Sequence, residues 1–221
     1  MSASRSLLLF AALALASGIV APAHAAWPHD PNVNVPLSTA TGNQRKPAVV
    51  SDGAGGAIAV WEDTRSGSYH IYAQRVSVDG TAMWTTDGVA VCTATGDQYY
   101  PMLATDGAGG AIITWQDQRT GVVDIYAQRV SAGGTVLWAT NGVALCAATN
   151  SQAHPVIVAD GAGGAIVAWH DSRSGGVDVY GQRVSAEGVV QWTADGVPLC
   201  AATSSQNYPA IAPDGAGGAI V

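Results

Sequence analysis

Three sets of side chains in this sequence have chemistry to offer, and their spacing is informative. Asp63 and Arg65 recur as Asp117 and Arg119, then as Asp171 and Arg173, each trailed by a second arginine at Arg75, Arg129 or Arg183. A carboxylate beside a guanidinium fork makes a bidentate pair, which serves either as a ring of charged sites or as one clasp per unit. Repetition favours the clasp, because catalysis asks different residues to take different roles. Asp52, Asp106, Asp160 and Asp214 each open a DGAGG segment and raise calcium as a ligand. Calcium takes about six to eight oxygens, whereas DGAGG supplies one side-chain donor and no DxDxDG loop occurs. These four are weak metal candidates, and the expectation is no cofactor.

The third set breaks the repeat. Lys46, Tyr100, His154 and Tyr208 vary freely in the slot before a repeated proline. His70 stands where the other units carry Asp124 and Asp178, and His170 replaces Glu62 and Gln116. Variable side chains on a repeated scaffold mark the exposed face that binds. These six residues are therefore the candidates for a binding face.

No catalytic constellation assembles. His29, His70, His154 and His170 show no HExxH spacing, and no GxSxG elbow is present. A glycosidase carboxylate pair is fixed in space rather than in sequence, but the acids here are mostly repeated. DGAGG itself is not a phosphate loop. Such loops run from a strand into a helix N-terminus, and here the strand-like AIVAWHD (Ala165 to Asp171) follows. It reads as a hairpin turn whose glycines take positive φ.

The elements that must position these side chains follow a 54-residue period. Trp61, Trp115 and Trp169 form one register, Trp84, Trp138 and Trp192 a second, and Tyr72, Tyr126 and Tyr180 a third. Within a unit, PVIVAD, AIVAWHD, VDVYGQRVS and GVPLC read as short strands separated by glycine turns. About four strands per unit make the blade of a propeller. The fold class expected is all-β, a β-propeller-like array of four-stranded blades, incomplete at about three and a half units. Units are drawn at about 48–101, 102–155, 156–209 and a truncated 210–221, with 34–47 as an outer strand of an earlier unit. Closed rings have about four to eight blades, so the chain is expected to be a fragment or a truncated reading frame.

Cys92, Cys146 and Cys200 share one register, with Ser38 in the same slot. Stacked sheets lie ~10 Å apart and a disulfide needs Cα atoms within ~7 Å, so three buried free thiols are expected. Residues 1–25 read as a signal peptide with Arg5, an apolar run and an Ala23-His24-Ala25 cleavage site, followed by a linker at 26–33. Cleavage after Ala25 removes one arginine and takes the net charge from −7 to −8. That acidity argues against nucleic acid and anionic membranes, and no later run approaches the ~20 apolar residues of a membrane span. The protein is expected to be secreted or held at the cell surface, with an extracellular glycan or protein as its partner.

DGAGGAIVAWHDSR, DVYGQRVSAEGVVQW and DGVPLCAAT resemble a repeat of large exported bacterial proteins, propeller-like and mostly uncharacterised. A looser similarity is to sialidase-type Asp-box propellers. Ser77 to Trp84 has the Ser, Asp and Trp of that box, with its glycine one position early. The first resemblance implies a non-enzymatic surface or extracellular binding scaffold. The second implies a carbohydrate-active hydrolase whose catalytic residues lie partly outside this chain. A calcium-dependent adhesion module is the third alternative.

Overall fold

Short β-branched runs between glycine turns fold here as the period predicts. The computed structural model describes residue 32 and residues 34–221; the leader, His29 and most of the linker lie outside them. Among the described residues there are strands and no helix, and therefore none long and apolar enough to cross a membrane. β1 (Gln44–Ser51), β2 (Ala57–Asp63), β3 (His70–Val76) and β4 (Val89–Cys92) form one antiparallel sheet in that order. β5 (Gln98–Thr105), β6 (Ala111–Asp117), β7 (Asp124–Val130) and β8 (Val143–Cys146) repeat it. So do β9 (Gln152–Ala159), β10 (Ala165–Asp171), β11 (Asp178–Val184) and β12 (Val197–Cys200), while β13 (Ala212–Pro213) pairs with β14 (Ala219–Ile220). First strands gather together, β5 lying against both β1 and β9. The architecture is an incomplete propeller-like array.

Two boundaries differ from the sequence reading. Each blade begins at Gln44, Gln98 or Gln152, ahead of the limits at 48, 102 and 156. The repeated proline looked like a strand edge, but it lies inside the strand at a bulge, where the ladder skips from Arg45 to Ala48 and from Tyr99 to Met102. An edge strand tolerates proline there because no ladder hydrogen bond is lost. Residues 34–43 form no strand. Ser38 nonetheless sits 3.3 Å from Arg65 Nη2, the place Cys92 takes 3.4 Å from Arg119 Nη2. The segment thus seats on the first blade as β4 seats on the second.

DGAGG is a hairpin turn. Asp52 Oδ1 accepts the N–H groups of Ala54 and Gly56 at 2.8 Å, and Gly53 and Gly55 take φ of +75° and +87°. Ser77 to Thr81, the start of the Asp-box-like stretch Ser77 to Trp84, is also a turn: Ser77 Oγ accepts the Thr81 N–H at 3.1 Å and Val76 bridges Ala82.

The core lies between blades rather than within them. β6 is buried along its whole length, because Ile113 and Trp115 face the first blade while Ile112 faces the third. The second tryptophan register locks adjacent blades. Trp84 Nε1 donates to Ala132 O at 3.0 Å and Trp138 Nε1 to Ala186 O at 2.9 Å, each carbonyl also accepting an arginine from the tryptophan's blade. Each indole lies flat against a turn glycine of the following blade, Gly134 or Gly188. Trp192 has no such turn against it among the described residues and is only partly buried.

A methyl group at Gly188 would stand 2.7 Å from the Trp138 ring, whereas one at Gly175 meets nothing, and both glycines have positive φ. Gly188→Ala is expected to cost about 3 kcal/mol and Gly175→Ala about 1 kcal/mol in urea unfolding, from overpacking added to left-handed strain. Equal losses would show that the indole lock does not hold the blades together.

Candidate functional site

The repeated polar residues prove to be joinery. Asp63 Oδ2 accepts Trp61 Nε1 at 2.9 Å and Arg65 Nη2 at 2.6 Å, while Oδ1 takes the Arg65 backbone N–H and Nε. Asp117 serves Trp115 and Arg119 in the same way, and Asp171 serves Trp169 and Arg173. Each guanidinium lies over a tyrosine ring, Arg119 being 3.8 Å from the centre of Tyr126. Burial works against ionisation of Asp63 and Asp171, but the arginine, indole and backbone donors outweigh it and hold both carboxyls below the usual range.

Asp52, Asp106 and Asp160 form ion pairs with Arg75, Arg129 and Arg183 at 2.8 to 2.9 Å. Asp214 accepts the backbone N–H groups of Ala216 and Gly218. Surroundings made of N–H donors suit a carboxylate and oppose a cation beside it. Among the described residues no cluster of three His, Cys, Asp or Glu could hold a metal ion.

The cysteines are free, but only Cys92 and Cys146 are buried, whereas Cys200 is exposed. The expectation of three buried thiols fails at the third because β12 has no blade packed over it among the described residues. Burial pushes the Cys92 thiol up to about 11 and the Cys146 thiol up to about 12, which leaves both inert as nucleophiles.

The variable slot behaves differently. Lys46, Tyr100 and His154 sit at the strand bulge, and Tyr208 holds the same slot ahead of β13; their φ values are +49°, +53°, +53° and +56°. A left-handed conformation costs a side-chain-bearing residue roughly 1–2 kcal/mol, and it is kept at every copy of this slot. At two of the four copies its return is a link between blades. The Tyr100 N–H donates to Glu62 Oε1 at 2.8 Å, Glu62 Oε2 being held by Arg45 Nε at 2.6 Å. The Tyr208 N–H donates to Nε2 of His170, which occupies the Glu62 position of the third blade.

This twist turns the four side chains toward one another. Lys46 Nζ stands 3.2 Å from the centre of the Tyr100 ring, Tyr100 lies 5.3 Å from His154, and His154 lies 5.0 Å from Tyr208. His170 closes a triangle, 4.9 Å from His154 and 5.1 Å from Tyr208. With the prolines that follow them, the four rungs line a cavity of about 340 Å³. A cleft of about 480 Å³ elsewhere is lined by Val50, Leu103 and Ile157 beside Asp160, which Arg183 already occupies. The smaller cavity has the side chains free to recognise something.

Five of the six variable residues are thus brought together. His70 is not: it is buried, with Nδ1 2.8 Å from Gln98 Oε1, and links the first blade to the second. His170 is buried too and supports the ladder from behind rather than standing on an exposed face. Sequence reasoning missed Glu62 and Gln116 as members of the slot behind the rungs. It also missed Tyr99, whose ring lies 5.7 Å from Tyr100. The signal was there, since His170, already singled out, shares their register. Compared with protein-family models and with curated proteins, the chain matches none.

Two outcomes follow from this geometry. Asp171→Asn, which strips a buried pair of its charge, is expected to cost about 3 kcal/mol in chemical unfolding; a loss below about 1 kcal/mol would make the clasp incidental. Burial and then the neighbouring His154 push the His170 imidazole below its ordinary value, and Nε2 must be unprotonated to accept the Tyr208 N–H. Its contribution is complete above the unfolded-state pKa of about 6.5 and is lost as pH falls through the lower folded value. Thermal melts from about pH 7 to pH 5 should show a decline that His170→Gln reduces; an identical decline in both proteins would assign it to other groups.

Proposed function

We propose that this chain is an exported, non-enzymatic scaffold that binds an extracellular glycan or protein at the ladder of Lys46, Tyr100, His154 and Tyr208. One observation carries the reading: the four variable residues of the pre-proline slot converge on one cavity, whereas the repeated aspartates and arginines pair with one another. Structural groups conserve their partners from blade to blade; recognition groups differ because the ligand differs along its length. A backbone strained alike at four rungs holds those side chains at fixed positions, which lowers the entropy lost on binding. Export is supported by the leader at residues 1–25.

The test is a binding screen of the immobilised full chain against extracellular polysaccharides and proteins, repeated with Tyr208→Ala. Tyr208 is 75% exposed, so its loss should leave the melting curve in place while weakening the ligand by about ten-fold or more. A ligand indifferent to the substitution would place recognition elsewhere. Turnover of chromogenic glycosides, abolished by Glu62→Gln, would replace the scaffold reading with a hydrolase.

A further inference from the structure

We infer that the ladder takes an acidic oligosaccharide, with sugar faces laid on the aromatic rungs and a carboxylate set against Lys46. This deepens the binding-site reading above and rests on it. The free edges of β1, β5 and β9 are the first place to look for a peptide partner, since an unpaired edge can accept an added strand. Here each edge is interrupted by a bulge and a proline, at Pro47, Pro101 and Pro155. A bulge breaks the register an added strand needs, and proline offers no N–H. Recognition therefore falls to the side chains.

Those side chains are flat and spaced at close to one sugar ring per rung. Tyr100 to His154 and His154 to Tyr208 are steps of 5.3 and 5.0 Å. Aromatic faces carry negative charge at their centres and attract the polarised C–H groups of a pyranose face. Tyr208 is largely exposed and offers its ring directly.

The charge at the site is positive, against the trend of an acidic chain of net charge −7. Lys46 makes no ion pair among the described residues and stands over the Tyr100 ring. The carboxylate behind the Tyr100 rung, Glu62, is spent on Arg45 and on the Tyr100 N–H. A buried donor is also left over. Gln116 Nε2 has no partner, although the equivalent residues Glu62 and His170 each reach the rung of the following blade. An ammonium without an ion pair selects an anion, and the ring ladder selects a saccharide to carry it.

The experiment is calorimetric titration of the full chain with oligogalacturonate, its fully methyl-esterified form and polyglutamate. The variants are Lys46→Met and Tyr208→Ala. Oligogalacturonate is expected to bind at least about ten-fold tighter than the ester, which has the same backbone without the charge. Lys46→Met should bring the two together, and Tyr208→Ala should weaken both. Equal affinity for acid and ester in the parent protein would overturn the inference and leave the ladder as a neutral-ligand site. Preference for polyglutamate would replace the saccharide with a peptide. Oligogalacturonate binding untouched by either variant would instead overturn the ladder as the site. No binding by any probe would overturn the acidic saccharide while the wider screen still decides on the ladder.

Discussion

The structure depends on one constraint: no blade can bury its own core. A four-stranded sheet has two faces, and in β6 both are apolar, so each must be covered by a neighbouring sheet. Stability in such an array is a property of the junctions. The junctions are made from a small set of parts used repeatedly: an indole flat against a turn glycine, its N–H on a turn carbonyl, and the backbone N–H of Gln98, Gln152 or Gln206 on a carbonyl of the previous blade. Burying polar atoms in these seams is tolerable because nearly all are paired. The Asp–Trp–Arg clasp is one such solution, closing the end of each central strand without leaving its aspartate uncompensated.

Seen this way, the invariance of the polar residues and the variability of the pre-proline slot have one cause. A group that pairs with the next blade is fixed by a partner that is itself repeated. At the bulge, the partner is the backbone N–H, which every non-proline residue supplies. At Tyr100 and Tyr208 the link does not involve the side chain of the rung, which is released for other work.

Much of this was legible in the residues themselves. The 54-residue step, the glycine turns and the doubly apolar AIVAWHD run specify blades and their stacking, because those features depend on local chain chemistry. The structural nature of the Asp–Arg pairs was also legible, since a clasp repeats and an active site does not. The strand start was not. A proline inside a strand reads as a boundary when edge and interior strands look alike, and only the sheet shows that β1 is an edge. Nor could the sequence separate His70 from His154. Both break the repeat, yet His70 has a glutamine of the next blade within reach and His154 faces the cavity. That difference lies in the rotation of neighbouring sheets, which no single unit encodes.

The left-handed backbone at each copy of the pre-proline slot also restricts what the array can become. Branching at the β-carbon is poorly tolerated at positive φ, so valine, isoleucine and threonine are effectively barred from Lys46, Tyr100, His154 and Tyr208. What remains are unbranched, long or planar side chains, the kinds that reach and stack. The fold thus supplies a restricted alphabet, one letter per blade. Changes within that alphabet alter the surface presented at the inner strands without disturbing the seams that hold the blades together.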